Sequence, residues 1–181
     1  MKVEEKTLES KTVFEGKIIK VKHDTVLLPS GKTSKREVVA HNGGVCVAVL
    51  TKDDCVYLVS QFRYPYMETV LELPAGKLEK DEDPYEAGIR EAHEETGCEA
   101  NRLFSLGKFY PTPGYCGEII HLYWTNDYQM KEQKLDEGEF LNVEKIPFDE
   151  VLRMVMEGEI TDGKTQTAIL KLAVMKREGE I

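Results

Sequence analysis

Residues 76–98 read GKLEKDEDPYEAGIREAHEETGC, and the rest of the chain is best understood from this stretch. Its acidic residues are dense, and six of them matter here: Glu82, Asp83, Glu86, Glu91, Glu94 and Glu95. Glu91, Glu94 and Glu95 fall at i, i+3 and i+4, so a helix brings them together within about one turn. Like charges at that spacing repel by roughly 0.2–0.5 kcal/mol per pair. Carboxylates clustered against that cost suit a hard divalent cation, which takes oxygen ligands. The surrounding residues favour a helix. Asp83 fits an N-cap, and Pro84 fits the first helical position, where its missing N–H costs nothing. Glu86, three residues after Asp83, completes a capping-box pattern. Gly97 suits a left-handed stop. On a helical projection Arg90, Glu91, Glu94 and Glu95 gather on one side, while Tyr85, Ile89, Ala92 and Thr96 face a core. Upstream, residues 71–76 (LELPAG) read as a strand end turning at Gly76. The unit is a strand, a loop carrying Glu82, and a helix carrying the other carboxylates. Glu-rich helices are most often solvated surface, so E-x-x-E-E alone means little and the full spacing carries the reading.

At 181 residues the chain suits one domain of ordinary size with a small appendage. Charged residues make up 31% and hydrophobic residues 41%, the balance of a soluble globular protein. A net charge of −9 argues against a nucleic-acid surface. It does not exclude an anionic substrate, because bound cations invert the local field. No apolar run approaches about 18 residues, and the N-terminal MKVEEKTLESK is charged throughout, unlike a signal peptide. No membrane contact is expected, and the expected location is the cytoplasm. Cys46, Cys55, Cys98 and Cys116 are widely spaced and form no C-x-x-C pair, which points to buried free thiols rather than a zinc site.

In chain order, residues 1–42 read as a separate antiparallel piece, with strands at 13–16, 18–28 and 34–40 and a turn at Pro29-Ser30-Gly31-Lys32. A piece of that size buries little alone and needs the main domain, residues 43–181, or a partner chain to pack against. Residues 45–50 and 55–61 are β-rich and read as a hairpin joined by Thr51-Lys52-Asp53-Asp54. An aromatic loop with Arg63 follows. Strands are expected at 68–73, 102–110, 118–125 and 140–143, with a rigid loop at 111–115 and a polar, mobile loop at 126–139. Helical spacing covers 148–157 and 161–176, with Thr161 or Asp162 as cap of the second. Strands mixed with three helices predict an α+β fold, a mixed sheet sandwiched between helices.

Gly76, Glu82, Arg90, Glu91, Glu94, Glu95 and Gly97 match the fixed positions of G-x5-E-x7-R-E-U-x-E-E-x-G-U, where U is a bulky aliphatic residue. On these residues the chain resembles the Nudix hydrolases. Ala92 and Cys98 stand at U positions and are smaller than usual, which touches helix packing more than chemistry. Outside the box, LVSQFRYPYMETVLELPAGKLE and FYPTPGYCGE resemble the ADP-ribose pyrophosphatase group, with Pro113 at the position of that group's marker proline. The resemblance covers residues 34–176 and implies an α/β/α Nudix sandwich. It also implies hydrolysis of the pyrophosphate bond of ADP-ribose to AMP and ribose 5-phosphate, with magnesium or manganese as cofactor. A further implication is a homodimer that exchanges N-terminal strands; the absence of a nucleic-acid partner is expected from the net charge alone.

Carried over position by position, the resemblance gives Ala75 (through its backbone), Glu82, Glu91, Glu94 and Glu95 to metal. It gives Arg63, Leu78 and Pro113 to substrate, and Arg36 and Glu37 to adenine contacts from a neighbouring subunit. Glu139 is matched to the residue that activates or positions water, with Glu137 an equally acidic neighbour. Arg90, spaced i+4 from Glu86 and i−4 from Glu94, suits orientation of a carboxylate better than contact with phosphate. Each has a plainer reading. Arg63 could be solvated, Glu139 an ordinary surface acid, and Arg36 and Glu37 cross-strand partners. Glu118 could position the Pro113 loop, and His93 could simply be packed. Tyr64, Tyr66, Tyr110 and Tyr115 suit half-buried loop aromatics at least as well as base-stacking platforms. The alternatives for function are another nucleotide-sugar diphosphatase, acting on GDP-mannose or a different ADP-sugar, and a non-catalytic nucleotide sensor. A sensor typically carries an eroded box or an attached DNA-binding domain; the box here is intact, and no basic winged helix is expected.

Overall fold

The computed structural model describes residues 3–181; Met1 and Lys2 of the charged N-terminus lie outside the described residues. Two compact units emerge, one of residues 3–43 with Tyr110–Ile119 and one of Gly44–Phe109 with Ile120–Ile181. The first is an antiparallel sheet in the order β1-β2-β3, formed by β1 (Lys6–Glu15), β2 (Lys20–Leu27) and β3 (Thr33–Ala40). The turn between β2 and β3 closes through Leu28 N–H donating to the Lys32 carbonyl at 2.8 Å. Gly31 there adopts φ 81°, which a side chain would resist. β1 starts well before Val13, and all ten of its residues are exposed. The Tyr110–Ile119 loop pairs with β3: Val39 N–H donates to Tyr115 O at 2.8 Å and Gly117 N–H to Val39 O at 2.9 Å.

The second unit is organised on β4 (Gly44–Val49), whose six residues are all buried. A strand covered on both faces reads as a continuous apolar run rather than an alternating one, which is why GVCVAV carries no polar side chain. Chain order then runs β5 (Cys55–Arg63), β6 (Glu68–Glu72), β7 (Ala75–Lys77), α1 (Pro84–Thr96), β8 (Cys98–Ala100), β9 (Phe104–Phe109), β10 (Ile120–Thr125), β11 (Tyr128–Met130), β12 (Leu141–Pro147), α2 (Phe148–Met156) and α3 (Gly163–Glu178). One sheet has the order β7-β4-β10-β9 and is mixed, with β10 parallel to β4. A second has the order β12-β5-β6, and β8 pairs with β11.

The two faces of β4 divide the core. Val47 and Val49 pack with Ala92 of α1, Cys98 and Leu103. Cys46 and Ala48 pack with Leu122, Trp124, Phe148 of α2, and Ala168, Ile169 and Leu172 of α3. The layering is therefore α1, sheet, then α2 with α3, the expected sandwich. Burying a large side chain such as Phe148 or Leu172 contributes roughly 1.5–3 kcal/mol each before entropy is counted.

Four expectations need correction. β4 and β5 are not a hairpin: they meet at the single bridge Leu50↔Val56 and then enter different sheets. Each is paired on both edges elsewhere, so the short Thr51–Asp54 link only changes direction. The loop expected to be mobile at 126–139 contains β11, held antiparallel to β8. Cys46 and Cys98 are buried thiols, but Cys55 and Cys116 are partly exposed. Finally, Glu95 does not share an open face with Glu91 and Glu94; it is 1% exposed, on the packed side of α1.

Candidate active site

α1 forms as its sequence dictates. The Asp83 carboxylate accepts the backbone N–H groups of Tyr85 and Glu86, Pro84 opens the helix, and Gly97 ends it at φ 76° with its N–H donated to His93 O. The inner face is lined by small residues. Gly88 lies so close to Leu103 that an added Cβ would approach its Cδ1 to 2.7 Å. This close docking brings the carboxylate turn against β7, the short strand that carries Ala75 and Gly76 and that contradicts the turn expected at Gly76.

Arg90 is the hub of the acidic cluster. Its Nε donates to Glu82 Oε1 at 2.9 Å and its Nη2 to Glu82 Oε2 at 3.0 Å, a bidentate fork. Its Nη1 donates to Glu91 Oε1 and to Glu94 Oε2, both at 2.8 Å. The fork holds the Glu82 carboxyl below its ordinary range. Glu86, the other candidate partner on spacing, is exposed.

Glu95 is anchored differently, its Oε2 accepting the backbone N–H of Ala75 at 2.8 Å. Burial pushes its carboxyl up to about 8, against the pull of that hydrogen bond and with help from the charges of Glu91, Glu139 and Glu72. Glu91 is raised to about 7, again chiefly by burial, which outweighs Arg90 beside it; Glu94 and Glu139 push the same way. Gly76 faces Glu91 directly, and an added Cβ there would stand 2.0 Å from the Glu91 carboxyl carbon.

Glu139 comes from the other side. Gln61 Nε2 donates to its Oε1 at 3.3 Å, and its charge is felt by both Glu91 and Glu95. Glu137, its rival on sequence, is exposed beside Gly138, which has φ 85°. Leu78 is half-buried, two residues past Gly76. In the N-terminal unit, Arg36 is engaged by Glu5, its Nε donating to Oε2 at 2.9 Å and its Nη2 to Oε1 at 2.5 Å. Glu37 is exposed opposite His23 and lines a groove with Val13, Val21, Val39 and Tyr115. Pro113 is exposed in the Tyr110–Ile119 loop, whose Glu118 lies 3.5 Å from His41 Nδ1. Tyr64, Tyr66, Tyr110 and Tyr115 are all exposed.

Sequence reasoning missed a buried ionic group below Arg63. Glu72, 1% exposed at the end of β6, accepts from Arg63 Nε at 2.6 Å through Oε1 and from Lys164 Nζ through Oε2. Lys164 Nζ also donates to Asp162 at 2.9 Å. Burial would discharge this lysine, but Asp162 and Glu72 outweigh it and keep the pKa raised. Asp162 caps α3 by accepting Thr165 N–H at 2.9 Å, and Thr165 Oγ1 in turn accepts Leu73 N–H at 2.8 Å. A glutamate at a strand position otherwise apolar was the available signal; its partner Lys164 is 92 residues away and has no local signature.

Among the described residues, no group of three metal-ligating side chains already converges on one point. Arg90 gathers Glu82, Glu91 and Glu94, while Glu95 is held by Ala75. The donor set is nonetheless one of hard oxygens, and the missing Cβ at Gly76 leaves space where Glu91 turns. These residues fit a divalent cation that keeps its other positions for water and phosphate.

Acidic side chains gathered on α1, against a strand that Gly76 keeps open, make a donor set of the kind that suits metal-assisted hydrolysis. The chain belongs to the Nudix family: the NUDIX domain profile matches residues 40–165, and the profile of a nucleoside diphosphate sugar hydrolase N-terminal domain matches residues 5–39. It is 41% identical over 175 residues to a methanol dehydrogenase activator of Bacillus methanolicus, covering 96% of this chain and 95% of that one. It is also 41% identical over 169 residues to an ADP-ribose pyrophosphatase of Bacillus subtilis, covering 92% and 91%. A GDP-mannose pyrophosphatase of Yersinia enterocolitica is 35% identical over 141 residues, covering 72% and 73%. The fold is that of a crystal structure of an ADP compounds hydrolase, with a TM-score of 0.84, 20% identity and full coverage of both chains. No helix among the described residues is long and apolar enough to cross a membrane.

Proposed function

We propose that this protein hydrolyses the pyrophosphate bond of ADP-ribose, water entering at one phosphorus to give AMP and ribose 5-phosphate. The observation that carries this reading is the acidic cluster on α1, with Glu91 and Glu95 half-buried or buried and Glu139 beside them, in a chain resembling an ADP-ribose pyrophosphatase along most of its length. Nudix hydrolases generally use divalent metal ions; here the ion would be magnesium or manganese, and Glu82, Glu91, Glu94, Glu95 and the Ala75 backbone would hold it. When bound, it would neutralise diphosphate charge and lower the pKa of water.

The chain's own residues do the remaining work. Arg90 orients three of the carboxylates. Glu139 positions water and holds its proton. Arg63, partly exposed and, among the described residues, engaged through Nε alone, offers its remaining N–H groups to phosphate. Leu78 supplies an apolar contact, and the Pro113 loop borders the substrate. Residues 1–42 serve dimerisation by strand exchange, with Arg36 and Glu37 facing adenine in a neighbouring subunit; the full exposure of β1, including Leu8, Val13 and Phe14, supports this. The protein acts in the cytoplasm.

The test is turnover of ADP-ribose at saturating magnesium by Glu94→Gln and Glu95→Gln. The expectation is that each retains less than about a tenth of the wild-type rate; retention above that in both variants removes the metal assignment. The resemblance to GDP-mannose pyrophosphatases supports a second reading, hydrolysis of another nucleotide-sugar. A panel of ADP-ribose, GDP-mannose and other ADP-sugars at fixed magnesium separates the two by kcat/KM.

A further inference from the structure

We infer that Glu72, with Lys164 as its buried counter-charge, is the positioning residue that aims Arg63 at the substrate. The inference rests on the reading of Arg63 as a phosphate-contacting residue. Arg63 closes β5, opposite Glu68 of β6 and next to an exposed turn, Tyr64-Pro65-Tyr66. Its guanidinium is held by one nitrogen, Nε, at 2.6 Å from Glu72 Oε1. Among the described residues no acceptor is recorded for its Nη1 and Nη2 groups, and the side chain is 37% exposed. A guanidinium clamped at Nε presents its outer edge as a preformed fork, the geometry that recognises phosphate in two parallel hydrogen bonds.

Glu72 is itself buried, and both of its carboxylate oxygens are engaged. Here its second oxygen accepts from Lys164, itself nine-tenths buried, and Asp162 completes a quartet of two cations and two anions. The quartet is neutral as a whole, so Arg63 keeps its local charge without the group repelling a diphosphate. The same carboxylate sits one residue before Leu73, whose N–H is fixed by Thr165, and three before Ala75, which holds Glu95. The clamp on Arg63 and the anchor of Glu95 therefore share one rigid turn, which sets the distance between the phosphate fork and the acidic cluster.

The experiment is a kinetic cycle on ADP-ribose in magnesium with Arg63→Ala, Glu72→Gln, and the paired Glu72→Met/Lys164→Met. The pair removes both buried charges together and is expected to keep the fold, since a buried ion pair replaced by apolar residues of similar size is commonly tolerated. Thermal midpoints are recorded for all, and binding of the methylene-bridged, non-hydrolysable analogue of ADP-ribose is measured by calorimetry. The expected result is a rise of about tenfold in KM and in the analogue's Kd for Glu72→Gln and for the pair, with kcat changed by less than about threefold. Adding Arg63→Ala to either should then cost little more, because the two residues act as one unit. Wild-type KM and analogue binding in the pair would overturn the inference, as would full additivity with Arg63→Ala. If Arg63→Ala itself leaves KM unchanged, the substrate-contact reading of Arg63 fails and takes this inference with it. If Arg63→Ala raises KM and the Glu72 variants do not, the positioning role alone fails.

Discussion

Gly76 and Glu91 stand so close that a single methyl group at residue 76 would lie 2.0 Å from the Glu91 carboxyl carbon. The glycine is needed for space rather than for a left-handed backbone, since its φ is not among the positive ones. Glu91 can swing away from an added methyl, and that displacement moves a candidate ligand. Gly76→Ala is therefore expected to fold with a stability change within about 1 kcal/mol yet to lose at least about tenfold in kcat/KM. Thermal melts beside steady-state kinetics check both parts; a large drop in stability with intact kinetics would contradict this reading.

Arg90 reaches three carboxylates through two hydrogen-bonded edges, which lysine, a point donor, cannot reproduce. Arg90→Lys preserves the charge and loses the fork. Groups that orient metal ligands typically affect metal affinity by about 10–100-fold. The magnesium concentration for half-maximal activity should rise by about tenfold or more, with a smaller change in kcat at saturation. A magnesium titration at fixed ADP-ribose reads this directly.

Stability of the metal-free protein should depend on pH in a defined window. Glu91 and Glu95 titrate at about 7 and about 8 in the folded chain, both raised from 4.5 by burial first of all. A folded-state pKa above the unfolded value means that the stabilising contribution is full below about pH 4.5 and is lost as pH rises through 7 to 8. Melting in EDTA should show falling midpoints over that range, and added magnesium should restore most at its alkaline end. A flat profile in EDTA would show that these carboxyls are not protonated in the apo protein.

Thr165 Oγ1 is the acceptor for the buried N–H of Leu73, linking α3 to the strand end before the carboxylate turn. Thr165→Val keeps the shape and leaves that N–H unsatisfied. A cost of about 1–3 kcal/mol is expected, and denaturant unfolding with an unchanged m-value would read it cleanly.

Helix α1 was legible in the sequence almost to its ends, because Asp83, Pro84 and Gly97 act on neighbouring backbone groups and their effects are local. The sandwich followed from the order of elements. The non-local pairings were not legible. Thr51–Asp54 looks like a hairpin turn, and nothing in it shows that β4 and β5 each find partners elsewhere. The polar stretch from Asn126 hides β11 because β8, its partner, is only three residues long. At the site, helical spacing gave Glu91, Glu94 and Arg90 a common face. Spacing could not show that Glu95 lies in the packed interior, since that depends on how closely Ala87 and Gly88 let α1 approach the sheet. Glu72 and Lys164 escaped notice because their pairing spans 92 residues, and each alone reads as an ordinary surface charge.

The parallel pairing of β10 with β4, from Ile120 against Gly44 to Thr125 against Val49, encloses α1 and its carboxylates within the chain that it closes. Closing so long a loop carries its entropy cost before any contact repays it, and such pairings set slow folding rates. The acidic turn can form as a local helix early. Its docking against β4, and with it the burial of Glu95, must await a central sheet assembled from both halves of the chain. The buried position of Glu95 thus depends on strands drawn from both halves of the chain.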